Sequence, residues 1–187
     1  MGSLTTQSII TLRDALPQDI PQIAALGSHV FSVTFGHSVS PHELQAYLDE
    51  SYSLAATEAE LSSPSKDMIV AVDRSSQTAG SEARIVGFAL LTRGSSEPCI
   101  EHLQNTVELQ RIYVHPDCHG KGVGRLLADR LEDMAREQGF EYMWLGVWEE
   151  NHKAMKVYEK LGYERVGDHD FVIGGVVQTD HIMVKRL

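Results

Sequence analysis

Three glycines alternate in Gly120-Lys121-Gly122-Val123-Gly124, between an apolar run that ends at Val114 and a helical one that opens at Val123. At a strand-to-helix turn this spacing lets successive backbone N–H groups converge on one anion, and phosphate is the natural one. Lys121 and Arg125 add positive charge beside it. Two other phosphate loops are excluded by spacing. A dinucleotide-binding turn wants a small residue three places after its second glycine, where this chain has Arg125 or Leu127. A nucleoside triphosphate loop wants Ser or Thr after its Gly-Lys, where this chain has Gly122. Tyr158 and Asn151 have an ordinary use as core tyrosine and helix cap, and their place after the strand at 142–148 makes both candidate site residues. Glu108 is a candidate base. Cys99-x-x-His102 and His115-x-x-Cys118 have the form of zinc half-sites, but a strand between them would hold the pairs ~30–40 Å apart, so no metal is expected.

The elements that must position these groups follow from periodicity. Ile9 to Arg13 suits a strand, and Pro17 with Asp19 opens a helix carrying Ile20, Ile23, Ala24, Leu26 and Val30. Ser40-Pro41-His42-Glu43 is a capping box, predicting a second helix with Leu44, Tyr47 and Leu48 inward that runs to the break at Ser62-Ser63-Pro64-Ser65. Met68 to Val72 and Ile85 to Thr92 predict a hairpin around the Ser/Gly-rich loop 75–83. From Thr106 the apolar residues fall on odd positions, Val107 and Leu109, then on even ones, Ile112 and Val114. A one-residue slip would turn the core face outward unless a bulge inserts a residue, which places a β-bulge near 110–113. A helix follows with Val123, Leu126, Leu127, Leu131 and Met134, ended by Gly139. Tyr142 to Trp148 is a buried strand, and Asn151 caps a helix carrying Ala154, Val157, Tyr158 and Leu161 up to Gly162. Tyr163 to Val166 and Val176 to Val184 are closing strands. The crevice at the strand ends, where α/β sheets bind ligands, then faces both the glycine loop and residues 148–158.

The chain has 187 residues, enough for one domain with a real core, over 1–187 with 1–8 as a flexible tail. Its 16 basic and 26 acidic residues leave a net charge of −10, which argues against nucleic acid as partner. Residues 1–110 carry 5 basic and 13 acidic groups, so the first half suits a cation. No apolar stretch approaches the ~18 residues that span a membrane. Two cysteines make no disulfide framework, which suits a cytoplasmic setting. Met1-Gly2 with Thr6 matches an acylation pattern but lacks a second anchor.

Val114-His115-Pro116 leading to His119-Gly120-Lys121-Gly122-Val123-Gly124, with Asn151-x-x-Ala154-x-x-x-Tyr158-x-x-x-Gly162-Tyr163, resembles the GNAT superfamily of acyl-CoA-dependent N-acetyltransferases. His119 stands where the family has Gln or Arg, and an imidazole there can still donate to phosphate. Thr34-Phe35-Gly36, the helix from Pro41 to Leu48, Phe171-x-x-Gly174 and Gln178-Thr179-Asp180 further resemble bacterial spermine/spermidine N-acetyltransferases. The resemblance implies an α/β (α+β) GNAT fold, a mixed sheet of about seven strands with about four helices. It implies transfer of acetyl from acetyl-CoA, as co-substrate, to an amine, with Tyr158 donating to the leaving thiolate and Glu108 as base. Backbone amides of Ile112, Tyr113 and Val114 would meet the acyl oxygen; His119, Gly120, Lys121, Gly122, Val123, Gly124 and Arg125 would hold the pyrophosphate, and Asn151 the pantetheine. Phe35, Tyr47, Glu108, Trp148 and Phe171 would line the acceptor site. A protein or peptide N-terminal acetyltransferase and a non-catalytic acyl-CoA-binding module are the alternatives, and a homodimer is left open.

Overall fold

Strands with two apolar faces need a helical layer on each side, and this chain supplies both. The computed structural model describes residues 10–75, 83–173 and 176–187. The 1–8 tail with Gly2, and most of the 75–83 loop, lie outside them. Among the described residues, seven strands form one mixed sheet: β1 (Ile10–Asp14), β2 (Lys66–Asp73), β3 (Arg84–Thr92), β4 (Thr106–Val114), β5 (Tyr142–Trp148), β6 (Glu164–Ile173) and β7 (Val176–Arg186). Their order across the sheet is β1-β2-β3-β4-β5-β7-β6. Five helices join them: α1 (Ile20–Phe35), α2 (Pro41–Ser51), α3 (Leu54–Leu61), α4 (Val123–Glu137) and α5 (His152–Lys160). Leu127 and Leu131 of α4 and Tyr158 of α5 pack on the face formed by Val107, Leu109, Met143, Leu145 and Val147. Ile23 and Leu26 of α1 pack on the opposite face, over Val70, Phe88 and Leu90.

The α/β class and the seven strands agree with expectation, while the helices number five rather than about four. The predicted second helix is two. Its capping box forms, Glu43 N–H donating to Ser40 Oγ and Ser40 N–H to Glu43 Oε2. It ends at Tyr52, which leaves helical geometry (φ −128°, ψ 16°) and buries its ring to 6% exposure. That ring lies so close to Gly27 of α1 that a Cβ there would fall 2.5 Å from Tyr52 Cδ1. Ser53 then caps α3, its Oγ accepting from Ala56 N–H at 3.2 Å. Leu44, Tyr47 and Leu48 are half-buried rather than inward, because α2 packs on α1 at the rim and not on the sheet. Leu126 and Val157, also expected inward, are exposed; Leu127 and Tyr158 beside them take the core positions.

One pairing shapes the site. All neighbouring strands are antiparallel except β4 and β5, and these pair in parallel for three residues only: Thr106 with Tyr142, Val107 with Met143, Glu108 with Trp144. Beyond Glu108 the two strands part. On its other side β4 stays paired with β3, with Leu90 opposite Arg111 and Leu91 opposite Leu109. Gln110 is therefore the extra residue of a bulge, within the window that the apolar phase slip predicts.

Candidate active site

Past the bulge, β4 has one edge on β3 and one edge open. The His115 N–H donates to Val86 O at 2.8 Å, so alternation along the strand turns the Tyr113 N–H to β3 as well and leaves those of Ile112 and Val114 on the open edge. Of the three amides expected at the acyl oxygen, two face the gap. The Val114 carbonyl on that edge is met by His119 Nε2 at 3.0 Å. His119 is thus engaged with β4, whereas the family pattern implies a phosphate contact.

The glycine loop lies beyond. Gly120 (φ +74°) and Gly122 (φ +80°) have left-handed backbone, which residues with a Cβ adopt at a cost. Gly122 caps α4 without any side-chain acceptor, so the first amides of the helix, Val123, Gly124 and Arg125, stay available to an anion. Gly124 differs: its φ is not positive, and a Cβ there would only touch Val114 Cγ2 at 3.7 Å. Val123 is buried and pins the loop to the core. Lys121 and Arg125 are exposed, with Arg125 near Asp129 at 3.5 Å.

Across the gap, α5 presents Asn151 and Tyr158. Asn151 Oδ1 accepts from Ala154 N–H at 3.2 Å, so the capping role is real, and its side-chain NH₂ is left for a ligand. Tyr158 packs edge-to-face on Tyr163 at 5.9 Å, and burial raises its phenol above the usual range.

The opposite face of the sheet carries an aromatic and acidic floor. Phe35 lies 5.2 Å from Trp148, and Tyr47 stacks on Phe31 at 4.3 Å, which in turn is 4.6 Å from Phe35. Three expected acceptor residues are thereby joined through α1. Phe171 shares the face at its far side, on β6 beside His169 at 6.2 Å. Glu108 sits where β4 and β5 part; burial raises its carboxyl, and the facing Ser95 hydroxyl and Lys66 ammonium partly offset that rise. The Ser95 Oγ itself is buried and short of a full hydrogen bond.

The sequence patterns give no site role to two groups here, although Asp180 ends the Gln178-Thr179-Asp180 motif. Arg111, just after the bulge, pairs with Glu60 of α3 and lies over the Tyr52 ring at 5.2 Å. Lys66 also meets Glu60, at 2.9 Å, and Gln110 Oε1 at 2.9 Å, which ties the bulge to α3. The second is Asp180 of β7, paired with Trp148 of β5 and His169 of β6. Burial pushes its carboxyl up to about 6, with His169 and His181 pulling it down and Glu97 pushing it up. Among the described residues no group of three or more His, Cys, Asp or Glu could hold a metal ion, and no helix is long and apolar enough to cross a membrane.

The chain is 28% identical over 169 residues to an uncharacterized N-acetyltransferase of Mycobacterium tuberculosis, covering 90% of this chain and 98% of that protein. A second uncharacterized N-acetyltransferase, from Lactobacillus delbrueckii subsp. lactis, is 28% identical over 171 residues, 91% of this chain and 93% of its own length. In fold, the chain superposes on the PaiA N-acetyltransferase of Thermoplasma acidophilum, solved in complex with coenzyme A, with a TM-score of 0.71 at 20% identity over 96% of this chain and 99% of the other. Residues 39–163 match the model of the acetyltransferase (GNAT) family, and this span holds the bulged strand, the glycine loop and both site helices. The chain belongs to the GNAT acetyltransferase family.

Proposed function

We propose that the chain transfers acetyl from acetyl-CoA to the primary amine of a small cationic acceptor, in a cytoplasmic setting. The observation that carries this is the gap between β4 and β5, with open amides and an anion loop at one end and carboxylates and aromatic rings on the acceptor face. Acetyl-CoA fits as donor, since the loop offers unpaired amides and open space over Gly120 and Gly122 to a pyrophosphate. The coenzyme A seen in the Thermoplasma relative supports the same choice.

The residues then divide the work. An alkylammonium of pKa near 10 attacks only after losing a proton, and Glu108, whose raised carboxyl makes it a better base than an exposed one, accepts it. The freed nitrogen forms the new C–N bond at the thioester carbon, and the Ile112 and Val114 amides stabilise the oxyanion. As the C–S bond breaks, the excess proton that the acylated nitrogen still carries passes to the departing sulfur, toward which Tyr158 donates a hydrogen bond. A thiol titrates near 8.5, below the raised phenol, so Tyr158 remains protonated and acts as a hydrogen-bond donor to the thiolate. Phe35, Tyr47, Trp148 and Phe171 line the acceptor side.

A product screen tests this: acetyl-CoA with small polycations, neutral amines and peptides at equal concentration. Acetylated spermidine, spermine or a similar amine should dominate, and salt should raise its KM by screening the attraction. Preference for a peptide N-terminus would replace the acceptor class. Binding of acetyl-CoA without transfer to any of them would leave a non-catalytic acyl-CoA-binding module.

A further inference from the structure

Resting on the amine-acceptor function above, we infer that the Asp180 carboxylate receives a second ammonium group of the acceptor, a short methylene chain away from the nitrogen that is acylated. Asp180 leans over Gly146 of β5, where a Cβ would stand only 3.2 Å from its Oδ2. The glycine is the space in which the carboxylate lies. No donor among the described residues bonds that carboxylate, whereas the neighbouring Glu97 is engaged by His169 Nδ1 at 3.0 Å. Strand alternation puts Trp144, Gly146, Trp148, Asp180, His169 and Phe171 on one face of the sheet, and an ammonium there meets ring faces as well as charge. Trp144, 4% exposed, brings to this region a buried Nε1–H with no partner.

Position separates Asp180 from the chemistry. It lies on β7 opposite Trp148, with β5 between it and β4 and those two strands already parted at that level, so more than two strand spacings, over about 10 Å, separate it from the open β4 amides. A base must come within about 3 Å of the proton it takes. Glu108, on β4, is placed for that; Asp180 is placed for the other end of a diamine. The charged groups around Asp180 are His169 of β6 and Glu97 of the loop before β4, with His181, next to it in β7, on the opposite face of the sheet. With a carboxyl near 6, the anchor is ionised at neutral pH and is lost as pH falls through that value.

The test compares putrescine with n-butylamine, which differ by the second ammonium, using the full chain and acetyl-CoA. Wild type should favour putrescine in kcat/KM by about tenfold or more, ~1.4 kcal/mol. Asp180→Asn should bring the two amines level by raising the putrescine KM far more than that of butylamine. Lowering the pH through 6 should level them in wild type and change nothing in the variant. Gly146→Ala, which crowds the carboxylate, should reduce the preference in part. A folded Asp180→Asn protein that keeps the preference overturns the subsite while amine acetylation stands. If wild type acetylates neither amine, the function falls, and calorimetric titration of putrescine decides the subsite alone: binding that Asp180→Asn abolishes supports it, and absent or unaltered binding overturns it.

Discussion

The hydroxyls of Tyr52 and Tyr113 stand 2.7 Å apart, joining the residue between α2 and α3 to β4 beyond its bulge. Burial raises both phenols, Tyr113 to about 12, so the pair shares its hydrogen bond in neutral form. Tyr52→Phe or Tyr113→Phe should each strand one buried hydroxyl and destabilise the protein by about 1–2 kcal/mol. The double variant strands neither, and its loss should fall well short of the sum. Urea unfolding of the four proteins measures the coupling; additive losses would show that each hydroxyl finds another partner.

Gly122→Val should weaken acetyl-CoA binding by about tenfold or more, ~1.4 kcal/mol, because a β-branched residue resists φ +80° and obstructs the loop amides. Gly124→Ala has room, with Val114 Cγ2 at 3.7 Å, and should leave the fold intact. Calorimetric titration of both folded variants checks the contrast. Wild-type affinity in Gly122→Val would place the donor elsewhere.

Tyr158→Phe keeps the ring on Tyr163 and removes only the hydroxyl. Loss of a hydrogen bond that strengthens as charge grows on the leaving sulfur should lower kcat and kcat/KM together, by ~10²–10³, with acetyl-CoA affinity unchanged. Steady-state kinetics with a parallel binding titration reads this. A kcat within about threefold of wild type is too small a loss for a missing donor at the developing charge and would make Tyr158 a packing residue.

Asp19, 4% exposed, accepts from Arg13 at 2.5 and 2.8 Å and from the Leu16 N–H at 2.8 Å at the entry to α1. The Arg13 hydrogen bond is the main reason its carboxyl lies below the ordinary range. The stabilisation is therefore complete above the unfolded value of about 3.9 and is lost as pH falls toward the lower folded one. Asp19→Asn should destabilise by about 1–3 kcal/mol at neutral pH, and the difference should shrink below about pH 4. Thermal melts of both proteins across pH show it; a gap independent of pH would assign the loss to packing.

Legibility in the sequence followed range. Ser40 and Glu43, Gly122 and Val123, or Asn151 and Ala154 lie within one turn of each other, and their local chemistry announces the element they cap. The Gln110 bulge was visible because it left a mark in the apolar phase. The split at Tyr52 was hidden, since a tyrosine in a helical run looks like helix until Gly27, a quarter of a hundred residues away, receives its ring. Glu60, Lys66 and Arg111 meet from three elements, and no spacing rule links them. Asp180 becomes a site residue only because β7 inserts between β5 and β6, an order that periodicity does not encode.

The three-residue seam between β4 and β5 leaves two strand edges inside the molecule, and bare edges are templates for unwanted pairing. Here the bulge and the covering helices blunt them, and a bound donor would fill what remains. Occupancy should then act as a fastener as well as a supply of acyl groups: a ligand that binds only the folded chain raises its stability by mass action. The empty protein is the form most exposed to self-association, so the abundance of the donor would help set how long the protein survives as well as how fast it turns over.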